Sequence, residues 1–140
     1  MKSLRTEIQG LHVQLVVPHE MSSPVSMRLR YEPSDPYVVR AAFTAVDSDE
    51  MVEWIIGRDL LIDGLEGPAG EGDISIWPAD GPDRCDSYIL LTPPTGTALL
   101  KARTHEIKTF LQGTEALVPS GTELGHIDLD ASLTHFLAEG

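Results

Sequence analysis

Cysteine is almost missing from this chain: Cys85 is the only one among 140 residues. No intrachain disulfide can form, which fits a reducing compartment. Asp83 and Asp86 flank the cysteine. In spite of the adjacent Arg84, this is not the electropositive setting that activates a thiol, and Cys85 reads as inert. Basic charge is scarce as well: 10 Lys plus Arg face 22 Asp plus Glu, a net −12. A field of that sign repels nucleic acid and anionic lipid and attracts basic partners. Long apolar runs are missing too. Glu7, Gln9, His12 and Gln14 interrupt any signal-peptide core behind Lys2 and Arg5, and no stretch is long enough to span a bilayer. The expectation is a cytoplasmic protein with no direct membrane insertion, carried to any membrane-associated site by another protein.

Familiar catalytic signatures do not occur. There is no Gly-x-Ser-x-Gly elbow, and Ser120-Gly121 follows Pro119 in a loop with no strand feeding it. The glycine-rich stretch 67–72 lacks the Lys-Ser/Thr of a phosphate loop, and Glu66 and Glu71 would repel a phosphate. It reads as a surface loop.

What is present is ordinary globular material: 41% hydrophobic and 23% charged residues. The length suits one domain over residues 1–140, able to bury about 70% of its unfolded surface. The charge is uneven. Residues 46–86 hold Arg58 and Arg84 against twelve acidic side chains, so −10 of the net −12 lies there.

Period-two alternation dominates the first half. Leu11, Val13, Leu15 and Val17 alternate with His12, Gln14 and Val16. Val25, Met27, Leu29 and Tyr31 alternate with Ser26, Arg28 and Arg30. Tyr37, Val39, Ala41 and Phe43 follow, then Val52, Trp54 and Ile56. Turn residues separate these runs, which predicts a four-strand meander. One or two helical turns are expected at 59–63, stopped by Gly64. Shorter strands are expected near 73–78, 87–91 and 97–102, the last two separated by a turn at 93–96. Ile107, Phe110 and Leu111 predict a helix ended by Gly113, and Leu129, Leu133, Phe136 and Leu137 a second one capped by Asp128 or Asp130. The class is α+β, with an antiparallel sheet or two packed sheets and helices at one end. Val16, Val38, Ile55, Trp77 and Ile89 fall outside the assigned core face and are expected to form an interface.

Three clusters are candidate sites. His126, Asp128 and Asp130 alternate, so an extended segment could aim all three one way, but the two acids already serve a helix start. Asp47, Asp49 and Glu50 lack a calcium loop's closing geometry. Neither cluster is assigned, and no catalytic, cofactor or metal residue is named. Arg28, Arg30 and Arg40 should face outward on neighbouring strands, without the interleaved aromatics of a single-strand binder, because Tyr31, Tyr37 and Phe43 point the other way. This patch is expected to pair with acids of another subunit or partner. No partner-binding surface is assigned.

Four blocks in order carry a family resemblance. The first is Leu29-Arg30-Tyr31 with Asp35-Pro36-Tyr37-Val38-Val39 and Phe43. The second is Val52-Glu53-Trp54 leading into Arg58-Asp59-Leu60-Leu61 and Gly64-Leu65. The third is Gly70-Glu71-Gly72-Asp73-Ile74-Ser75-Ile76-Trp77-Pro78. The last runs from Gly96-Thr97-Ala98-Leu99-Leu100 through Phe110-Leu111 to Val118-Pro119-Ser120-Gly121-Thr122-Glu123 and Asp128. Together they resemble the SsgA-like family of actinomycete sporulation and cell-division proteins, most nearly its SsgB branch, with Ile56-Gly57 where the family usually has Phe-Ala. The resemblance implies a whirly-like fold: two roughly perpendicular four-stranded antiparallel β-sheets with C-terminal helices, assembled as a homotrimer. With seven strands read above, the eighth is expected in a segment read as loop. The resemblance also implies a non-enzymatic regulator of sporulation-specific division that recruits or positions the tubulin-like protein FtsZ at future septa, with other SsgA-like proteins as further partners. It implies no catalytic residues. The competing reading is a whirly-type single-stranded nucleic-acid-binding protein, and net charge separates the two.

A single-stranded DNA titration by fluorescence anisotropy at physiological salt is expected to show no binding. Micromolar affinity with a steep salt slope would restore the competing reading.

Overall fold

The computed structural model describes residues 5–17, 23–45, 49–81, 84–92 and 97–127. The alternating runs become β1 (Glu7–Leu15), β2 (Ser23–Tyr31), β3 (Val38–Ala45) and β4 (Met51–Gly57). β2 shows the cause most clearly: Val25, Met27, Leu29 and Tyr31 are buried while Ser26, Arg28 and Arg30 are exposed. A strand with one buried face cannot slip by one residue without turning that whole set outward. Each of these strands pairs antiparallel with the next. Then come α1 (Arg58–Glu66), β5 (Ala69–Glu71), β6 (Ile74–Pro78), β7 (Asp86–Leu91), β8 (Ala98–Arg103) and α2 (Thr104–Leu117), with a 3₁₀ turn at Glu123–His126.

The eight strands form one sheet in the order β4-β3-β2-β1-β8-β7-β6-β5. The expected pair of separate four-stranded sheets is replaced by two four-stranded halves joined along a narrow seam. Only Gln14 with Lys101 and Leu15 with Leu100 are paired between β1 and β8, and Val16 N–H extends the seam to the Leu99 carbonyl at 2.8 Å. The sheet curls about a core of Met27, Leu29, Val39, Ile56, Ile76 and Leu100, closed by Leu61 of α1 and by Ile107 and Phe110 of α2.

Several expectations are corrected. β5, the eighth strand, lies inside the glycine-rich stretch read as loop, where three residues are too few to show alternation. α1 extends beyond 59–63, with Gly64 inside it. Gly113 does not end α2, which runs four residues further. Ile89 is a core residue on β7, not part of an outer apolar face. Tyr37 precedes β3 and is 47% exposed, and Val52, near the start of β4, is exposed as well. The helix expected around 129–137 and the turn at 93–96 lie outside the described residues.

Both helices start without a side-chain cap. Carbonyls of the turn residues just before β3 and β7 take that role: Arg58 N–H donates to Tyr37 O at 2.8 Å, and Thr104 N–H to Cys85 O at 3.0 Å. Orphan amides at a helix start need such acceptors. Each helix therefore begins where a turn leading into a strand provides one.

The two helical glycines have opposite surroundings. A Cβ on Gly64 would lie 2.5 Å from Ile76 Cβ and 3.3 Å from Ile76 O. On Gly113 it would meet only the carboxyl end of Glu7. Gly64→Ala is expected to destabilise the protein by about 1–3 kcal/mol through overpacking against a fixed strand. Gly113→Ala is expected to be neutral or stabilising by up to about 1 kcal/mol, since Glu7 can swing away and alanine favours helix. Urea denaturation of both variants checks the opposite signs.

Candidate functional site

Arg58, the first residue of α1, is fully buried. Its guanidinium is the largest buried polar group, and segments remote in sequence supply its partners. Nη1 donates to Val118 O at 2.7 Å and to Thr114 O at 3.4 Å. Nη2 lies 3.2 Å from Glu123 Oε2 as an ion pair, without hydrogen-bond alignment, and Nε has no acceptor among the described residues. The guanidinium carbon stands 5.0 Å from the centre of the Tyr31 ring, a cation–π geometry. Tyr31 in turn donates its hydroxyl to Pro36 O at 3.0 Å.

Two carboxylates complete this knot. Gly121 N–H donates to Glu123 Oε1 at 2.5 Å. Ser120 N–H and hydroxyl donate to Glu115 at 2.7 and 2.8 Å. The Glu123 carboxyl is held below the usual carboxylate range, first by its own backbone N–H, then by Gly121 N–H and Arg58, which together outweigh its burial. Glu115 is lowered chiefly by the two Ser120 donors. Tyr31 moves the other way, from 10.0 to about 12, because burial disfavours its anion. These shifts belong to a fixed structural clamp, with both acids held ionised.

The clamp positions what lies on its outer side. Gly57, Asp59 and Leu60, next to Arg58 in sequence, form one wall of a groove of about 540 Å³. Tyr37 and Val38 form a second wall, with Trp54 and Ile55 of β4 beside them; Glu71 of β5, Asp73 and Ile74 face them. Both free edges of the sheet thus contribute to one groove. Its exposed carboxylates are Asp59, Glu71 and Asp73, and among the described residues no lysine or arginine lines it. Tyr37 and Ile55 are exposed beside the half-buried Trp54.

The residues weighed from sequence lie elsewhere. Arg28, Arg30 and Arg40 do face outward, but Arg30 pairs with Glu32 at 2.5 Å, and Arg40 reaches Asp35 at 3.6 Å and Glu53 at 3.3 Å. The acids expected from another subunit come, for these two, from the same chain. His126 closes the 3₁₀ turn, while Asp128 and Asp130 lie outside the described residues, as does Asp47. Among the described residues no three His, Cys, Asp or Glu side chains gather as a metal site, and no helix is long and apolar enough to cross a membrane. Cys85 is exposed. Sequence reading missed Arg58 as a centre. The available signal was a lone arginine entering the apolar run Leu60-Leu61-Ile62 within an otherwise acidic stretch.

The fold and groove define a small curled antiparallel sheet domain with an open acidic cleft. The family described as "Streptomyces sporulation and cell division protein, SsgA" matches residues 25–123, and this chain belongs to it. Sporulation-specific cell division protein SsgB of Streptomyces coelicolor is 46% identical over 129 residues, covering 92% of this chain and 93% of that one. The protein of the same name from Thermobifida fusca is 43% identical over 127 residues, covering 90% and 91%. A solved structure of an SsgA-like sporulation-specific cell division protein from Thermobifida fusca superposes with a TM-score of 0.86 at 38% identity, covering 97% of this chain and 98% of that one. A structure of SsgB from a study of longitudinal cell division during sporulation of Streptomyces coelicolor gives 0.82 at 43%, covering 88% and 96%. The chain is thus of the SsgB type.

Arg58→Met removes the cation, leaving Glu123 without its counter-ion and the Val118 carbonyl without its donor; urea denaturation is expected to show a loss of about 3–5 kcal/mol. The depressed carboxyls of Glu115 and Glu123 contribute stability that is present above their unfolded value, 4.5. That contribution is lost as pH falls through their lower folded values. The melting temperature should therefore drop on acidification below about pH 4.5, and less steeply in Glu115→Gln.

Proposed function

We propose that this protein is a non-enzymatic regulator of sporulation-specific cell division, acting in the cytoplasm at the septum. It works by recruiting or positioning FtsZ at future septa. The observation that carries this reading is the match, over some nine-tenths of both chains, to proteins named for sporulation-specific cell division. The site's chemistry supports it. Hydrogen bonds hold the Glu115 and Glu123 carboxyls below the usual carboxylate range, the reverse of a carboxyl tuned upward as a general acid. The groove offers apolar surface and charge, which suit protein contact.

One domain across residues 1–140 assembles as a homotrimer with the whirly-like packing that the resemblance implies. Three linked copies would raise the effective concentration of a weak docking site. The nucleic-acid reading has no observation in its favour: two of the three outward arginines are neutralised within the chain, and the groove between the sheet edges is acidic.

Complementation of a null strain, with imaging of FtsZ rings, tests the function. The null strain is expected to lack regularly spaced sporulation rings and to regain them with this protein. Regular rings in the null strain would show that recruitment is wrong, and a later role in wall remodelling would replace it.

A further inference from the structure

We propose that the groove between the two free sheet edges is a docking site for an extended, strand-forming segment of a partner protein, carrying lysine or arginine among apolar residues. The inference rests on the recruiting role above only in taking the partner to be a protein.

Three independent features converge. The first is charge. Asp59, Glu71 and Asp73 line the groove, and among the described residues their carboxylates have no ion pair and no basic side chain lines the walls. Three carboxylates around one cleft give it a negative field that attracts a cation. The second is apolar surface. Tyr37, Trp54 and Ile55 offer exposed or half-exposed faces in the same cleft, where a cationic side chain can lay its aliphatic stem and approach a ring. The third is the edge itself. β4 ends the sheet, so alternate backbone N–H and C=O groups point away from β3 with no ladder partner among the described residues. Natural edges are usually protected by lysine, proline or bulges. The β4 sequence Met51-Val52-Glu53-Trp54-Ile55-Ile56-Gly57 has no lysine or proline, and it exposes Met51, Val52 and Ile55. An added strand would satisfy the backbone, while alternate side chains reach the cleft.

The chemistry discriminates among occupants. A phosphate-bearing ligand or an acidic peptide meets three carboxylates. A basic extended segment is favoured by all three features.

The test uses the full chain and a fluorescein-labelled nine-residue peptide alternating Lys with Val and Ile, plus its Glu-for-Lys counterpart. Anisotropy is expected to show binding of the Lys peptide alone, weakened by salt. Asp59→Asn with Glu71→Gln is expected to weaken binding about tenfold. Asp63→Asn with Glu66→Gln, which changes net charge equally on the exposed side of α1, should change it less than about twofold. NMR shifts on peptide addition should map to Tyr37, Ile55 and the Trp54 indole. Equal weakening by both pairs would mean that only the overall field acts. Shifts mapping elsewhere, or no binding at millimolar peptide, would overturn the site. Groove shifts that follow protein concentration without peptide would assign the cleft to a second copy instead. Each of these outcomes is separable from failure of the recruiting role, which is read from FtsZ rings in the null strain.

Discussion

A guanidinium buried to 0% exposure must be matched where it sits, because an unmatched charge out of water costs several kcal/mol. That demand organises this molecule. Arg58 can be satisfied only if the end of α2 delivers the Thr114 and Val118 carbonyls, the 3₁₀ turn delivers Glu123 and β2 presents the Tyr31 ring. Its hydrogen-bond partners are 56 and 60 residues away in sequence. No partial fold meets the whole requirement, so the charge couples the two halves of the sheet, which share only a narrow seam, through the helices packed on them. Buried ion pairs often add little net stability compared with apolar packing. The role of Arg58 is to specify one arrangement.

The same residue links packing to the surface. Its side chain points into the clamp, its backbone N–H is held by Tyr37 O, and its neighbours Gly57 and Asp59 line the groove. Three of the four segments that carry the family resemblance meet here: the one that includes Tyr31 and Pro36, the one that includes Arg58, and the one that includes Val118 and Glu123. A signature that looks like scattered surface and turn residues in sequence is, in space, one buried contact and the wall it supports.

What could be read from sequence follows from range. β2 was legible because its face is buried along its whole length, so alternation and burial agree. β4 was half legible. Ile56 is buried as its phase requires, but Val52 lies where the edge strand leaves the core. Ile89 misled because the sheet halves curl about a shared core, which a count along one strand does not show. Gly113 looked like a helix stop, yet it lies within α2 where the Glu7 carboxyl packs against it, a contact from the opposite end of the chain. The groove was visible only as charge: its three acids belong to the acidic middle segment, but their convergence with Tyr37 and Trp54 depends on α1 and both sheet edges.

The most direct test of Arg58 as the organising contact is NMR of arginine side chains, following exchange of the Nε–H protons with water. A fully enclosed guanidinium should exchange only through opening of the core, at least about a hundredfold more slowly than the exposed Arg28. It should also show cross-peaks to the Tyr31 ring. If the Arg58 Nε–H exchanged as fast as that of Arg28, with no contact to Tyr31, the charge would not be buried and the clamp would not exist.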